Sequence, residues 1–104
     1  MKRIMLACSS GMSTSLLVTK MIDHSKSIGE EAKIWAVGQD QAKKEMGEAD
    51  VVLIGPQMSF LKGELQKEAD KHGIPVDVID MMAYGMADGK KAYEQAVNLI
   101  GVNK

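Results

Sequence analysis

Four short apolar segments, each followed by a stretch with helical spacing, constrain the fold of this chain most strongly. The apolar segments have strand length, and the stretches between them repeat apolar residues three and four positions apart. Strands that alternate with helices pair in parallel, and right-handed crossovers place the helices on both faces of the sheet. The pattern therefore predicts an α/β fold of three layers in a single domain, residues 1–104. The predicted strands span residues 3–7, 32–37, 51–54 and 76–79, and the predicted helices span about 13–27, 39–46, 58–72 and 88–100, with a loop up to about residue 87 before the last helix.

The charges within these segments indicate the order of the strands. The first and third segments are apolar throughout, as expected for strands covered on both faces, whereas the second and fourth carry Lys33 and Asp77. The charged strands belong at the edges, so the expected order in the parallel sheet is 2-1-3-4. The chain then changes direction between the first and third strands, and such sheets bind ligands at this switch point, beyond the carboxyl ends of the strands. Residues 8–13 occupy it.

Composition excludes several classes of function. The chain has 104 residues and a net charge of -1, and its 13 basic residues are scattered among 14 acidic ones, so we expect no nucleic-acid partner. The apolar runs are too short to span a bilayer, and we expect a cytoplasmic protein without direct membrane insertion. The single cysteine excludes a multi-cysteine zinc site, and His24 and His72 lack metal-ligand spacing and are expected on solvated helix faces. Neither a metal nor another cofactor is expected.

A loop of small polar residues follows the first predicted strand and opens the first helix. A helix start leaves four backbone N–H groups without intrahelical partners, and a glycine-containing turn before it can direct further N–H groups to the same point. Hydroxyl side chains add donors there. The pattern predicts an anion cradle similar to a phosphate-binding loop. It comprises Cys8, Ser9, Ser10, Gly11, Met12, Ser13, Thr14 and Ser15.

Cys8 is the candidate nucleophile of this loop. A helix terminus stabilises a nearby anion by about 0.3–1 kcal/mol, and up to ~2 kcal/mol, so the dipole lowers a thiol pKa by roughly one unit. Hydrogen bonds to the sulfur must supply the rest of the stabilisation that a thiolate nucleophile needs near neutral pH. The alternative is that Cys8 is a small buried hydrophobic residue at the end of a strand. Its place at the switch point, before five hydroxyl residues and a glycine, favours the nucleophile.

Three segments carry a resemblance to a known family: LACSSGMSTSLLV at 6–18, LIGPQ at 53–57, and VID at 78–80 followed by Tyr84 and Gly85. Over nearly its whole length the chain resembles the enzyme IIB component of the lactose/cellobiose family of the bacterial phosphoenolpyruvate-dependent sugar phosphotransferase system. The resemblance implies a phosphotransferase in which Cys8 receives a phosphoryl group from a phosphohistidine of enzyme IIA. The phosphocysteine then passes the group to a disaccharide held by the membrane permease, enzyme IIC. Cellobiose, chitobiose, lactose and other β-glucosides all stay open as the sugar.

Cysteine-dependent phosphatases of similar topology, such as the low-molecular-weight phosphatases, are the nearest alternative. They place an arginine after the cysteine and five further residues, and here Thr14 stands at that position. A loop without a guanidinium group can hold a phosphoryl dianion through amides and hydroxyls, but it lacks the cation that neutralises charge when water attacks. We therefore expect a stable phosphocysteine that waits for its acceptor.

Two further classes of function stay in view. Thiol redox chemistry, as in an arsenate-reductase-like protein, is disfavoured because the chain has no second cysteine to resolve an oxidised sulfur. A regulatory module that binds anions without turnover would not need Cys8, so normal ligand binding by a Cys8→Ser protein would favour that class.

The segment after the third strand is expected to border the same pocket. Because the third strand neighbours the first, Gly55, Pro56 and Gln57 should form a pocket rim, with an amide donor on Gln57. An ordinary turn that ends the strand is the alternative for Gly55 and Pro56. Asp80 follows the fourth strand, which lies further from Cys8, and we expect it to cap a helix or turn and not to act as a general acid.

Methionines are concentrated in segments that follow the strands. Methionine is flexible and polarisable and suits surfaces that contact more than one partner. We therefore expect an apolar docking rim for enzymes IIA and IIC, and the alternative for each methionine is that it plugs the top of the core. The docking rim comprises Met12, Met58, Met81, Met82, Tyr84 and Met86.

Overall fold

The elements of the fold follow the predicted alternation of strands and helices. A computed structural model describes residues 2–7 and 11–102, with all of their side chains except those of residues 11–14, 39 and 102. The strands are β1 Lys2–Ala7, β2 Ala32–Val37, β3 Val51–Ile54 and β4 Val76–Val78. The helices are α1 Gly11–Ser27, α2 Gln39–Glu45, α3 Lys62–Asp70, α4 Met81–Gly85 and α5 Gly89–Val102, and two 3-10 segments span Met46–Glu48 and Pro56–Leu61.

The four strands form one parallel sheet in the order β2-β1-β3-β4, which confirms the predicted order. β1 pairs on both sides, so that Ile4 lies beside Ile34 of β2 and Val51 of β3. All four residues of β3 and the last four of β1 are buried. A strand covered on both faces takes apolar side chains at every position, and this is why the sequence pattern indicated the central strands.

The helices cover both faces of the sheet and divide the core into two layers. Successive side chains of a strand point to opposite faces, so each central strand contributes to both layers. Leu65 and Ala69 of α3 contribute to one layer, and Leu17 and Met21 of α1 to the other. From the central strands, the first layer takes Met5, Ala7, Val52 and Ile54, and the second takes Ile4, Leu6, Val51 and Leu53.

The segment after β4 departs from the sequence prediction, because it contains the short helix α4 where a loop was expected. The Asp80 carboxylate accepts a hydrogen bond from the Ala83 N–H at 3.0 Å, which caps the first turn of α4 and confirms the predicted role of Asp80. Asp88 acts in the same way on α5, where its carboxylate accepts from the Lys91 N–H at 3.1 Å. Two capped helix starts therefore follow β4 in close succession.

Helices α1 and α5 are in close contact where α5 begins. A Cβ atom added to Gly89 would lie 2.3 Å from the carbonyl carbon of Lys20 and 2.5 Å from its oxygen. Only a glycine permits the two backbones to approach this closely. The contact fixes where α5 starts along α1, and α5 in turn covers one face of the sheet.

Replacing Gly89 with alanine should lower the free energy of unfolding by about 1–3 kcal/mol, because the added methyl group forces the two helices apart. Urea denaturation of the two proteins measures the difference. Gly101→Ala is the matched control, since Gly101 also lies in α5 and an added Cβ would meet nothing within 4 Å. That control should unfold at the same free energy or up to about 1 kcal/mol higher. Equal stability of Gly89→Ala and the parent protein would contradict the close approach.

Candidate functional site

The candidate site lies at the carboxyl edge of the sheet, where the chain leaves β1, β3 and β4. Cys8, Ser9 and Ser10 lie outside the described residues, so the predicted nucleophile and the first part of the anion cradle stay predictions. Helix α1 begins at Gly11, directly behind them, two residues earlier than predicted. The side chains of residues 11–14 are likewise outside the description, whereas Ser15 is exposed and its carbonyl accepts from the Thr19 hydroxyl at 3.1 Å.

The loop after β3 starts beside the end of β1. The Gly55 N–H donates to the Ala7 carbonyl at 3.0 Å, and Ala7 is the residue before Cys8. Gly55 is buried, and a Cβ added to it would lie 2.9 Å from Oε1 of Gln57. The structure therefore places the first residue of the predicted pocket rim next to the point where the Cys8 loop begins, with Pro56 and Gln57 following it into the 3-10 segment.

Gln57 connects the pocket rim to α4. Its Nε2 donates to the hydroxyl oxygen of Tyr84 at 3.0 Å. Sequence reasoning assigned Gln57 to the pocket and Tyr84 to the docking rim, without a link between them. The hydrogen bond joins the segment after β3 to the segment after β4, so the two rims belong to one surface.

Most described methionines of the predicted docking rim are exposed, and one is not. Met81, Met82 and Met86 are 75%, 62% and 70% exposed, and Tyr84 is half-buried. The assignment of Met58 to the docking rim is wrong, because Met58 is 5% exposed and packs in the core layer under α2 and α3. Its non-helical backbone, with φ -117° and ψ 23°, interrupts the segment that was predicted as continuous helix. The side chain of Met12 lies outside the described residues.

Two exposed apolar residues near this edge were missed by sequence reasoning. Phe60 is 76% exposed in the 3-10 segment that begins with the pocket rim, and Leu16 is 52% exposed near the start of α1. Phe60 is the only phenylalanine of the chain, and it stands in the uncharged stretch 55–61. That combination was the available signal, because aromatic residues are enriched and charged residues depleted at surfaces that bind other proteins.

Gln95 was also missed, although it contacts the segment that carries α4. Its Nε2 donates to the Val78 carbonyl at 2.7 Å, and its Oε1 accepts from the Asp80 N–H at 2.9 Å. A signal was present in the helical spacing, because Gln95 lies between Ala92 and Ala96 at the border of the buried face of α5. A polar residue at such a position needs a hydrogen-bond partner within the protein.

A polar cluster lies at the amino edge of the sheet, away from the candidate site. His24 was expected to be solvated but is half-buried, and its ring packs edge-on against Tyr93 at 5.5 Å between centroids. The Tyr93 hydroxyl donates to Glu30 at 2.6 Å, and Lys2 binds the same carboxylate oxygen at 3.3 Å. Burial and then the Glu30 contact raise the pKa of Tyr93, while the hydrogen bonds from Tyr93 and Lys2 lower the pKa of Glu30. A groove of about 610 Å³ lies beside this cluster, between α1 and α5.

Neither a metal centre nor a membrane span emerges from the part of the chain that the structure describes. There, no group of three or more histidine, cysteine, aspartate or glutamate side chains is arranged to bind a metal ion. No helix among residues 2–7 and 11–102 has the length and apolar character needed to cross a membrane.

Comparisons with known proteins agree with the fold and with the resemblance. The family model for the "PTS system, Lactose/Cellobiose specific IIB subunit" matches residues 3–95. The chain is 77% identical over 100 residues to the oligo-beta-mannoside-specific EIIB component of the PTS system of Bacillus subtilis, a match that covers 96% of this chain and 97% of that protein.

Two solved structures share the fold. The solution structure of the cellobiose-specific phosphotransferase IIB component from Borrelia burgdorferi is 33% identical, with a TM-score of 0.82 and coverage of 99% of this chain and 94% of that one. The lactose-specific IIB component domain from Streptococcus pneumoniae has a TM-score of 0.84 over 94% of this chain and 96% of that one, and at 15% identity it supports the fold alone. The chain belongs to the lactose/cellobiose-specific IIB family of the sugar phosphotransferase system, whose members are carriers in sugar phosphotransfer.

Proposed function

We propose that this protein carries a phosphoryl group on Cys8, from a phosphohistidine of enzyme IIA to a sugar bound by the membrane permease, enzyme IIC. The observation that carries the proposal is the family match over residues 3–95, which spans Cys8 and the loop that follows it. The hydrogen bond from Gly55 to Ala7 supports it, because the segment after β3 then borders the start of that loop. We further propose that the protein works in the cytoplasm, where it alternates between the two partners.

The chemistry consists of two substitutions at phosphorus. In the first, the Cys8 thiolate attacks the phosphoryl group, the S–P bond forms and the P–N bond breaks, and the imidazole of enzyme IIA leaves. In the second, a hydroxyl oxygen of the sugar attacks, the O–P bond forms and the S–P bond breaks, and the hydroxyl proton passes to a base of the permease. The thiolate is regenerated, so the carrier needs no cofactor or redox partner for either step.

The position of Arg3 supports a carrier over a hydrolase. Arg3 is the only arginine of the chain, and it lies at the opposite end of β1 from Cys8. At about 3.3 Å per residue, the four residues from Arg3 to Ala7 span roughly 13 Å. The guanidinium group is bound there by the Asp50 carboxylate, with 3.2 Å between Nη2 and Oδ1. The loop therefore binds the phosphoryl group without a guanidinium group, and water gains no such cation for its attack.

The sugar belongs to the permease and not to this chain, because the carrier presents only the phosphoryl group. The relative from Bacillus subtilis is named for oligo-beta-mannosides. We propose a β-linked oligosaccharide of this kind as the first candidate, with cellobiose, chitobiose and lactose as the other disaccharides to compare.

Phosphorylation by the upstream phosphotransferase proteins should label Cys8 alone, as mass spectrometry of the peptide that contains it will show. Cys8→Ser should reduce transferable label to background, because a hydroxyl at this position lacks the low pKa of a thiol. The isolated phosphoprotein should keep its label until membranes with the permease and each candidate sugar are added. Label on another residue, or rapid loss to water from the protein alone, would contradict the carrier function.

We also propose that enzyme IIA binds at the docking rim, at the carboxyl edge of the sheet. The exposed part described by the structure consists of Met81, Met82 and Met86, with Tyr84 beside them. The whole segment 81–87 is free of charged residues in a chain that is 26% charged. Burial of such apolar side chains favours association at about 25 cal/mol per Å² removed from water, which makes the segment suited to a protein contact.

Met82→Asp should slow transfer from phosphorylated enzyme IIA by about tenfold or more, because it places a charge in an apolar contact where a central residue contributes 2 kcal/mol or more. Single-turnover transfer of label measures the rate. Ile28→Asp is the matched control, since Ile28 is 50% exposed but lies at the amino edge of the sheet, after α1. Equal rates for the Met82→Asp, Ile28→Asp and parent proteins would remove the docking rim from the proposal.

A further inference from the structure

The outer edge of β4 is completed by a side chain of α5. Beyond β4 the chain stays extended, and Ile79 donates its N–H to the Ile54 carbonyl of β3 at 2.8 Å. The Val78 carbonyl and the Asp80 N–H point away from β3, and there the Gln95 amide donates to the carbonyl at 2.7 Å and accepts from the N–H at 2.9 Å. One residue of a parallel neighbouring strand would make the same two bonds. Gln95 therefore takes the place of a fifth strand at this point.

The residue that Gln95 holds is the one that starts α4. The Asp80 carboxylate accepts from the Ala83 N–H at 3.0 Å, and the Asp80 carbonyl accepts from the Tyr84 N–H at 2.9 Å. Helix α4 has only five residues, and a helix of that length is not stable by its own backbone hydrogen bonds. Its position depends on its contacts with the rest of the protein: Asp80 holds its start, the bond from Gln57 to the Tyr84 hydroxyl holds its other end, and Ala83 between them is buried in the core layer under α5.

We propose that Gln95 is a positioning residue for phosphoryl transfer, which holds α4 in the arrangement that a phosphoryl donor protein binds. The inference rests on the proposed function, in which the methionines of α4 contact enzyme IIA. In this role Gln95 acts through the main chain of Val78 and Asp80, which its amide contacts. Without its amide, the carbonyl of Val78 and the N–H of Asp80 pair with water, and the start of α4 is free to shift.

Only a primary amide on a side chain of this length can make both bonds, because it carries a donor for the Val78 carbonyl and an acceptor for the Asp80 N–H. Glutamate offers acceptors only, so it keeps the bond from the Asp80 N–H and places a negative charge against the Val78 carbonyl. Leucine has a similar size and neither bond. A graded series of variants at this one position therefore separates hydrogen bonding from packing.

Gln95→Leu should raise the half-saturating concentration of phosphorylated enzyme IIA by about tenfold, with the maximal single-turnover rate changed by less than about twofold. A binding surface that holds its competent arrangement a tenth of the time binds ten times more weakly. Amide hydrogen exchange by NMR should show faster exchange at Asp80 and within residues 81–85. Gln95→Glu should fall between Gln95→Leu and the parent protein in both measurements, and it serves in place of Gln95→Leu if the leucine variant does not fold.

Asn98→Leu is the matched control. Asn98 lies one turn further along α5, lines the same groove against β4, and within the described residues makes no hydrogen bond to that strand. It should leave transfer and exchange unchanged. Unaltered exchange at Asp80 in Gln95→Leu overturns the proposal, and so does faster exchange with an unaltered half-saturating concentration.

The Met82→Asp variant separates failure of this inference from failure of the docking rim. Slow transfer by Met82→Asp together with normal transfer by Gln95→Leu overturns the positioning role alone. Normal transfer by both variants overturns the docking rim, and the positioning role with it, while the exchange data still report whether Gln95 holds α4.

Discussion

Burial of β1 and β3 on both faces of the sheet is the constraint on which the other features depend. The two strands pair in parallel and end at the same edge, and there the Gly55 N–H bonds to the Ala7 carbonyl at 3.0 Å. A shift of β3 by one residue against β1 would exchange its side chains between the two core layers. The packing of the core therefore fixes the register, and the register fixes the pocket rim beside the start of the Cys8 loop.

The same sheet separates a charged cluster at one edge from two uncharged segments at the other. Arg3, with Asp50, and the cluster of Lys2, Glu30 and Tyr93 lie at the amino edge, where the hydrogen bonds satisfy each carboxylate. At the carboxyl edge, the stretches 55–61 and 81–87 contain no charged residue. In the anion cradle that the sequence predicts at this edge, a bound phosphoryl group would be held by peptide groups and hydroxyl side chains, without a fixed counter-charge. This division of charge suits a protein that must bind a phosphoryl group and also release it.

Much of the fold was predictable because each strand and helix carries its own periodicity. Lys33 and Asp77 marked the edge strands, and the apolar run of β3 marked a centre strand, so the order of the sheet followed from burial. What the sequence left hidden depends on contacts between distant segments. Met58 follows a strand, as the exposed methionines of the docking rim do, but the backbone of the 3-10 segment directs its side chain into the core. Gln95 of α5 forms a hydrogen bond to Val78 of β4, 17 residues away in the chain, and the helical spacing of α5 does not identify that partner.

Side chains occupy hydrogen-bonding groups at the outer edge of β4, and this limits how the protein can associate with other proteins. The Val78 N–H donates to the Asp77 carboxylate at 2.8 Å, and Gln95 occupies the neighbouring carbonyl and N–H. No extended segment of a second chain can pair with this stretch without first displacing those groups. Pairing of β-strands between two proteins is therefore blocked at this stretch. Such pairing is slow to reverse once several main-chain hydrogen bonds have formed. The proposed carrier, which binds two proteins in turn, is better served by contacts between side chains, which separate more readily than paired strands do.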